Sequence, residues 1–596
     1  MKNKELSPTD YQLYLLKSLL WLSLAWGGFA LTLIGFFHAW IVWLFFLASA
    51  VWLTNYSLKK KLFLKPSKEM FFSSLAFIII VIVFSLFSTP TVFTGRDQGS
   101  FSEAAIRLSQ NHKIEFSNQI STEFFKLHEP GRALNFPGFY YNSQGNLTTQ
   151  FPLVYIAWLA LFFSVFGIMG FTIANAILLF IFFISLYLLS RLFLKSSAAA
   201  FPTTIFAATS FIFMWFSKMT LSENMALPLL WTAILSLMLF LKNQRNLYYI
   251  IFLMTASLLC FTRIEGVAFL LMAILVLAIN KNVHKYFKSQ FFFKLFLPII
   301  LFAIFFIFNF IKDFYFYKEI AKAILPNLST PKAKYLGEIN GYVLPEFYIQ
   351  KVFYIYGLLG FFLVGTASII KSFWKKELYA LVPFFITLPT FIYFIDDHIS
   401  PDHPWLLRRF MFSIAPVAIF YSGLLLGNWL EKKQNTKLKL LSLLITIVLL
   451  VGNLPAFSKY LTFSENKNLL QQTETFGKQF SDNDLILIDQ KTTGDNWAMI
   501  SGPLNSIYQK NAIYFFNIQD LSKLNTDNFD NVYLVTPNSQ ISFYLNSTIG
   551  LKLVETNTYT LNTNRLDTKP ETSSDKISLP EKKYSSIQGK IFKIEK

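Results

Sequence analysis

The feature that most constrains this chain is a succession of apolar runs, each of about 20 residues, separated by short segments that carry its Lys and Arg. A run of that length crosses a hydrocarbon layer of about 30 Å as a helix, and only helices or closed barrels satisfy their backbone hydrogen bonds in lipid. A soluble fold is excluded by composition: of 596 residues 54% are apolar and 15% charged, where soluble domains approach about a quarter charged. The net charge of +19 would point to nucleic acid if it clustered on a soluble domain. Here the basic residues mark the ends of apolar runs, so the positive-inside rule accounts for them and no nucleic-acid partner is expected. Cys260 is the single cysteine, which excludes an intrachain disulfide, a Cys-based zinc site and a thioredoxin motif. The polar start, Met1 to Asp10, leads into a long run with no small-residue cleavage site, the pattern of a retained span and not of a removed signal peptide.

Charge gives a parity test. Lys2 and Lys4 put the start in the cytoplasm, and spans near 13–36 and 38–57 return the chain to Lys59, Lys60, Lys61, Lys65 and Lys68. A third span, 70–89, then delivers a polar outer loop, 90–150. The run 151–170 is the exception: were it to cross, every later basic loop would be inverted. It is therefore expected to lie along the outer surface, with Tyr155 and Trp158 at headgroup depth. Spans at 171–190, 198–217, 225–241, 247–262, 264–280, 291–311, 351–370, 377–395, 410–430 and 438–454 then alternate correctly, about 13 crossings that leave the tail outside. The domains follow: a transmembrane hairpin, 1–69; a catalytic transmembrane domain, 70–455; and an outer domain, 456–596. In the last, apolar runs at Leu485–Ile488, Ile513–Phe516 and Val532–Val535 alternate with segments of helix length, and 551–561 and 585–594 read as strands, with a loop over 568–583. The spacing predicts a small α/β domain. The fold class expected is thus an α-helical polytopic membrane protein with a C-terminal extracytoplasmic α/β domain.

On this topology the unusual polar residues share the outer face. The stretch Thr94 to Glu103 reads TGRDQGSFSE, and Asp97 sits in it between Arg96 and two glycines at the mouth of a span. Either it is placed for chemistry or it caps a short helix running through Ile106. Beside it the topology brings Glu103; Lys218, Ser222 and Glu223; Arg263 and Glu265; and Asp396, Asp397, His398, Asp402, His403, Arg408 and Arg409. Ionisable groups at span ends are costly unless paired or solvated, so their convergence marks a candidate site. Arg263 and Glu265 read equally well as a structural ion pair. The set Asp396, Asp397, His398, Asp402 and His403 has metal-ligand chemistry, but no helical spacing fixes it and a solvated loop is the simpler reading.

The order of these features resembles the GT-C class of membrane glycosyltransferases, particularly the group of protein O-mannosyltransferases and the lipid A aminoarabinose transferase. The likeness covers about residues 70–430. It rests on Arg96-Asp97-Gln98 with Glu103; Phe151-Pro152-Leu153-Val154-Tyr155 with Phe166-Gly167; Ser217-Lys218 with Ser222-Glu223; Phe261-Thr262-Arg263-Ile264-Glu265-Gly266; and His403-Pro404-Trp405 with Arg408-Arg409-Phe410 and Pro416. Gln98 stands where that group pairs a Glu with its Asp, and Phe151 where it has a basic residue or His before the proline. The resemblance implies a glycosyltransferase that moves a hexose or pentose from a polyprenyl-phosphate donor to a glycan, lipid or protein acceptor on the outer side of the cytoplasmic membrane. It implies Asp97 as base, Glu223 and Glu103 as further acidic candidates, and Arg408 and Arg409, with Arg263 and Lys218 in reserve, as donor-phosphate ligands. No cofactor is required by this reading, and a divalent metal stays open. The alternatives are a ligase of whole lipid-linked oligosaccharides and, less favoured, a transporter, which should carry ionisable residues near mid-membrane.

Overall fold

The computed structural model describes residues 6–59, 67–89, 91–128, 130–288, 292–314, 346–394, 402–432, 434–546, 552–568 and 577–595, with short pieces between 317 and 343. Asp396, Asp397, His398 and the basic positions Lys60, Lys61, Lys65 and Lys433 lie outside them.

Helices α1 (Pro8–Leu33), α2 (Ala39–Lys59) and α3 (Lys68–Leu86) run back and forth. The amide of Ser67 donates to Asp10 at 3.0 Å, tying the start of α1 to the start of α3. A two-residue strand β1 (Thr94–Gly95) leads into α4 (Asp97–Asn111). After a small antiparallel sheet come α5 (Leu153–Phe166) and α6 (Met169–Phe193). At one end of the α3–α6 pair Thr172 meets Ser88 at 3.3 Å, and at the other Arg191 meets Glu69 at 2.6 Å. The two helices are therefore antiparallel, and residues 87–168 leave and return on one side.

That agrees with α5 not crossing, and at 14 residues it is about 21 Å long, too short to cross alone. Its setting differs from expectation, however. Tyr155 and Trp158 are fully buried, Tyr155 donating to Asn175 at 2.7 Å and Trp158 to the Ala174 carbonyl at 3.3 Å. An amphipathic ring finds its polar partner inside the bundle as readily as at the headgroups, so α5 is a core helix under α4.

The chain continues through α7 (Ser222–Asn243), α8 (Glu265–Ile279), α9 (Ile414–Leu430) and α10 (Thr436–Leu461). Among the described residues seven helices are long and apolar enough to cross a membrane, or up to nine if each of two bent pairs is one span. Five further apolar helices have 10–17 residues, and a count of thirteen needs several of these to cross as well. The expected span 198–217 is two helices, Ser197–Ala208 and Phe211–Phe216, while 351–370 and 410–430 are bent by 105° and 59°.

The tail folds as expected, into a sheet flanked by short helices. Its strands are β2 (Leu485–Asp489), β3 (Ala498–Met499), β4 (Asn511–Phe515), β5 (Val532–Pro537), β6 (Lys552–Leu566) and β7 (Lys582–Glu595), with helix α11 (Ser501–Ser506) before β4. The main sheet has the order β6-β7-β5-β2-β4, with β2 parallel to both neighbours and β7 antiparallel to β5 and β6. All five residues of β2 are buried, and the first four, Leu485–Ile488, form the unbroken apolar run of a strand covered on both faces. From the carboxyl end of β2 the chain steps to β4 on one side and later to β5 on the other, and loops at such a switch point are where open α/β sheets carry ligand sites. Here the loop ends in β3, which pairs with β1 through Thr94–Met499 and Gly95–Ala498.

Candidate active site

The β1–β3 pairing sets Asp97 at the floor of the C-terminal domain. Gly95 has φ of +120°, and a Cβ there would press on the backbone of Asn496 and Trp497; a Cβ at Gly99 would collide with the Phe93 carbonyl. Gly95 thus lets the chain pass tightly by the segment before β3, and Gly99 lets the helix start close under Phe93. Arg96 is the N-cap and makes no side-chain cap bond, and α4 begins at Asp97 and runs to Asn111. Asp97 is therefore not the cap of a helix ending at Ile106. Its carboxylate accepts from the Arg408 guanidinium instead.

Around this pair the arginines fall into distinct roles. Arg263 is consumed: it meets Glu223 at 2.8 Å, Glu265 at 2.7 Å and the Ser222 hydroxyl at 3.1 Å, and lies over the Phe412 ring. Tyr393 donates to the same Glu265. Arg408 is shared between Asp97 and the face of Trp405, 4.4 Å from its centroid, with its Nε buried and unpartnered. Arg409 makes only a cation–π contact, 5.9 Å from the Tyr393 centroid, and has no ion-pair partner among the described residues. Two guanidiniums thus meet the two acidic centres, Asp97 and Glu223–Glu265, and that of Arg409 stands near enough to act on both. Burial raises the Asp97 carboxyl, but Arg408, with Arg409 and Arg263, outweighs it and holds the group below its ordinary range.

Arg96 turns the other way, to Asp402 at 2.6 Å, with its guanidinium 4.7 Å from the Trp405 centroid and 4.9 Å from that of Trp497. Nothing in the transmembrane motifs announced Trp497. Its signal was a polar GDNW stretch directly after a strand, recognisable only once the tail is known to fold back.

Four expected site residues have partners elsewhere. Glu103 lies 3.7 Å from Arg107 on the other face of α4, and Arg107 donates to Asn505 of α11. A six-residue offset on a helix turns a side chain well away from the first, so Glu103 serves the junction with the C-terminal domain. Burial there pushes its carboxyl up to about 7. The Lys218 ammonium donates to the carbonyls of Tyr460, Leu461 and Phe463 at 3.2, 2.7 and 3.0 Å, capping the end of α10. Of the expected metal set, Asp396, Asp397 and His398 lie outside the described residues, and the other two have partners of their own. Asp402 is held by Arg96, and His403 faces the Tyr356 hydroxyl at 3.1 Å, with burial pulling its imidazole down to about 4. Among the described residues no three His, Cys, Asp or Glu side chains are placed to hold a metal.

No family model and no curated protein matches the sequence. The structure is similar to that of ArnT from Cupriavidus metallidurans in the apo state, with 10% identity, a TM-score of 0.48 and coverage of 87% of this chain and 97% of the other. It is also similar to the structure of the same ArnT bound to undecaprenyl phosphate, with 11% identity, a TM-score of 0.44 and coverage of 80% and 95%. Likeness at this level carries no argument about substrate or mechanism.

Proposed function

We propose that this chain is a glycosyltransferase that moves a sugar from a polyprenyl-phosphate carrier to an acceptor on the outer side of the cytoplasmic membrane. One observation carries the reading: near the Asp97–Arg408 pair stands Arg409, which has no ion-pair partner among the described residues, at the rim of a helical bundle and beneath the C-terminal domain. A polyprenyl-phosphate donor keeps its chain in lipid and its phosphate at that rim, where guanidinium offers forked donors. Arg409 is the first phosphate ligand and Arg408 the second. Asp97 accepts the proton of the attacking acceptor hydroxyl, whose oxygen bonds to the anomeric carbon as the bond from that carbon to phosphate oxygen breaks and polyprenyl phosphate leaves. The donor also prepares the base. While Arg408 faces Asp97 alone it depresses the carboxylate, and a phosphate sharing that guanidinium weakens the hold and raises its basicity. Glu223 is clamped by Arg263 and fixes the rim geometry; it is not the base.

The ionisable side chains gather at span ends, which disfavours the transport alternative. Transfer of a whole lipid-linked oligosaccharide is the same chemistry on a larger donor. Mass spectrometry of lipids from a deletion strain tests the proposal: a polyprenyl-phosphate-linked sugar should accumulate while one glycoconjugate disappears. Unchanged lipid-linked sugars would overturn it, and the size of the accumulating glycan separates the ligase alternative.

A further inference from the structure

Between the C-terminal sheet and the rim lies a cavity of about 570 Å³, within the range of about 300–1,000 Å³ common for small-molecule sites. Arg96, Gln98 and Trp405 line it from the membrane side, and Asn466, Asn496 and Trp497 from the C-terminal domain. Its cations are spent: Arg96 on Asp402 at 2.6 Å, Arg565 on Asp495 at 3.0 Å, and Lys218 on three carbonyls. Beside them the wall carries uncharged polar groups, the amides of Gln98, Asn466 and Asn496 and the indoles of Trp405 and Trp497. An anion entering here would find each of these cations already partnered. A neutral ligand with hydroxyl groups, each both donor and acceptor, matches such amides and indoles better than an ion does. The wall adds an aromatic face, for Trp497 is 48% exposed at the cavity edge. The electron-rich face of an indole suits the polarised C–H bonds of a sugar ring.

We infer that this cavity is the subsite for a neutral sugar of the acceptor, and that the loop after β2 is what selects it. The acceptor is then a glycan or a glycan-bearing lipid, not an unglycosylated protein. The inference rests on the transfer reading above: Arg96 and Gln98, the chain neighbours of Asp97, line the cavity, which sets it next to the turn of helix that carries the proposed base. It also gives the C-terminal domain a task, because the switch-point loop of its sheet supplies the platform.

Saturation-transfer NMR on the full-length protein in detergent, with methyl glycosides of the common hexoses and pentoses, tests it. At least one glycoside should bind, lose affinity tenfold or more in Trp497→Ala and in Asn496→Ala, and regain it in Trp497→Tyr. It should also stay bound when undecaprenyl-phosphate-linked glucose is added. Absence of binding to every glycoside, or equal binding in both alanine variants, would overturn the inference. Displacement by the lipid-linked glucose would overturn it too, by giving the cavity to the donor sugar. The donor reading is measured separately, by thermal shift with undecaprenyl phosphate. A wild-type protein that binds glycoside but not that lipid would refute the donor while leaving the sugar subsite in place.

Discussion

A carboxylate facing three arginines is fixed in its charged state, and that decides what a change at Asp97 does. Asp97→Asn removes the acceptor for the substrate proton and the partner of Arg408. Transfer from a lipid-linked donor should fall by about 100 to 10,000-fold, with insertion and folding retained, as read by size-exclusion chromatography. Near-normal transfer would make the Asp97–Arg408 pair structural. Arg409→Lys keeps the charge and loses the fork, and a charge-assisted bond of about 1.5–3 kcal/mol translates into donor affinity weakened by about 10 to 100-fold. Thermal stability should barely move, because Arg409 holds no ion pair among the described residues. Arg408→Lys should weaken donor use and also loosen Asp97, since Lys neither forks nor stacks on Trp405 as guanidinium does. Asp97, Arg408 and Arg409 were legible in the sequence because charge at the end of an apolar run is conspicuous. Their division of labour was not. Which of Arg263, Arg408 and Arg409 is already occupied depends on contacts hundreds of positions apart, such as Arg408 with Asp97, and a single chain of letters carries no sign of them.

Helix α4 joins the two parts of the molecule, and its two faces have opposite electrostatics. Asp97 is held low by arginines, whereas Glu103, packed toward α11, is held high, at about 7, by burial that Arg107 only partly offsets. The sign follows from linkage. A carboxyl raised from an unfolded 4.5 to about 7 binds a proton in the folded state over that window, so folding loses stability as pH rises through it and the loss is complete above. Glu103→Gln should remove this slope. Its melting temperature relative to wild type should climb between pH 5 and pH 8, corresponding to about 2–3 kcal/mol at most. A parallel shift at both pH values would mean that Glu103 titrates normally. At the far end of α10, Lys218→Met leaves three carbonyls without their donor. Each unmet buried group costs about 1–3 kcal/mol, so the variant should unfold several degrees lower while donor affinity stays unchanged, the reverse of Arg409→Lys. The sequence offered both side chains as site residues, Glu103 as an acidic candidate and Lys218 as a reserve phosphate ligand, and the contacts give each a structural partner instead. Position along the chain reports depth, but the direction in which a helix turns its side chains is fixed by what packs against it.

At the scale of the whole chain, two independent arguments meet, and a single experiment separates them. Contacts place the loop around Ser143 and the C-terminal domain on one side: β1 pairs with β3, Ser464 donates to the Phe87 carbonyl at 2.5 Å, and Asn135 donates to the Tyr514 carbonyl at 2.7 Å. The loop between α9 and α10 lies opposite, since Glu431 accepts from the Ser196 amide at 2.8 Å, just beyond the α6 end that meets Glu69. The proposal of which side is outside rests on charge alone, on Lys59, Lys68, Lys432 and Lys437. The general architecture was readable from the alternation of runs and charges because the bilayer imposes it on any sequence. The β1–β3 seam was not, because two strands of two residues each leave no periodic trace. With the buried Cys260 replaced by Ala, single cysteines at Ser143, Lys478 and Thr436 should divide two against one. A membrane-impermeant maleimide applied to intact cells should label positions 143 and 478, and reach position 436 only after the membrane is opened. Labelling of position 436 alone in intact cells would invert the charge argument and move the site to the cytoplasm, leaving the fold as it stands. Labelling that separates 143 from 478 would break the seam itself, and with it the shared cavity beside Asp97.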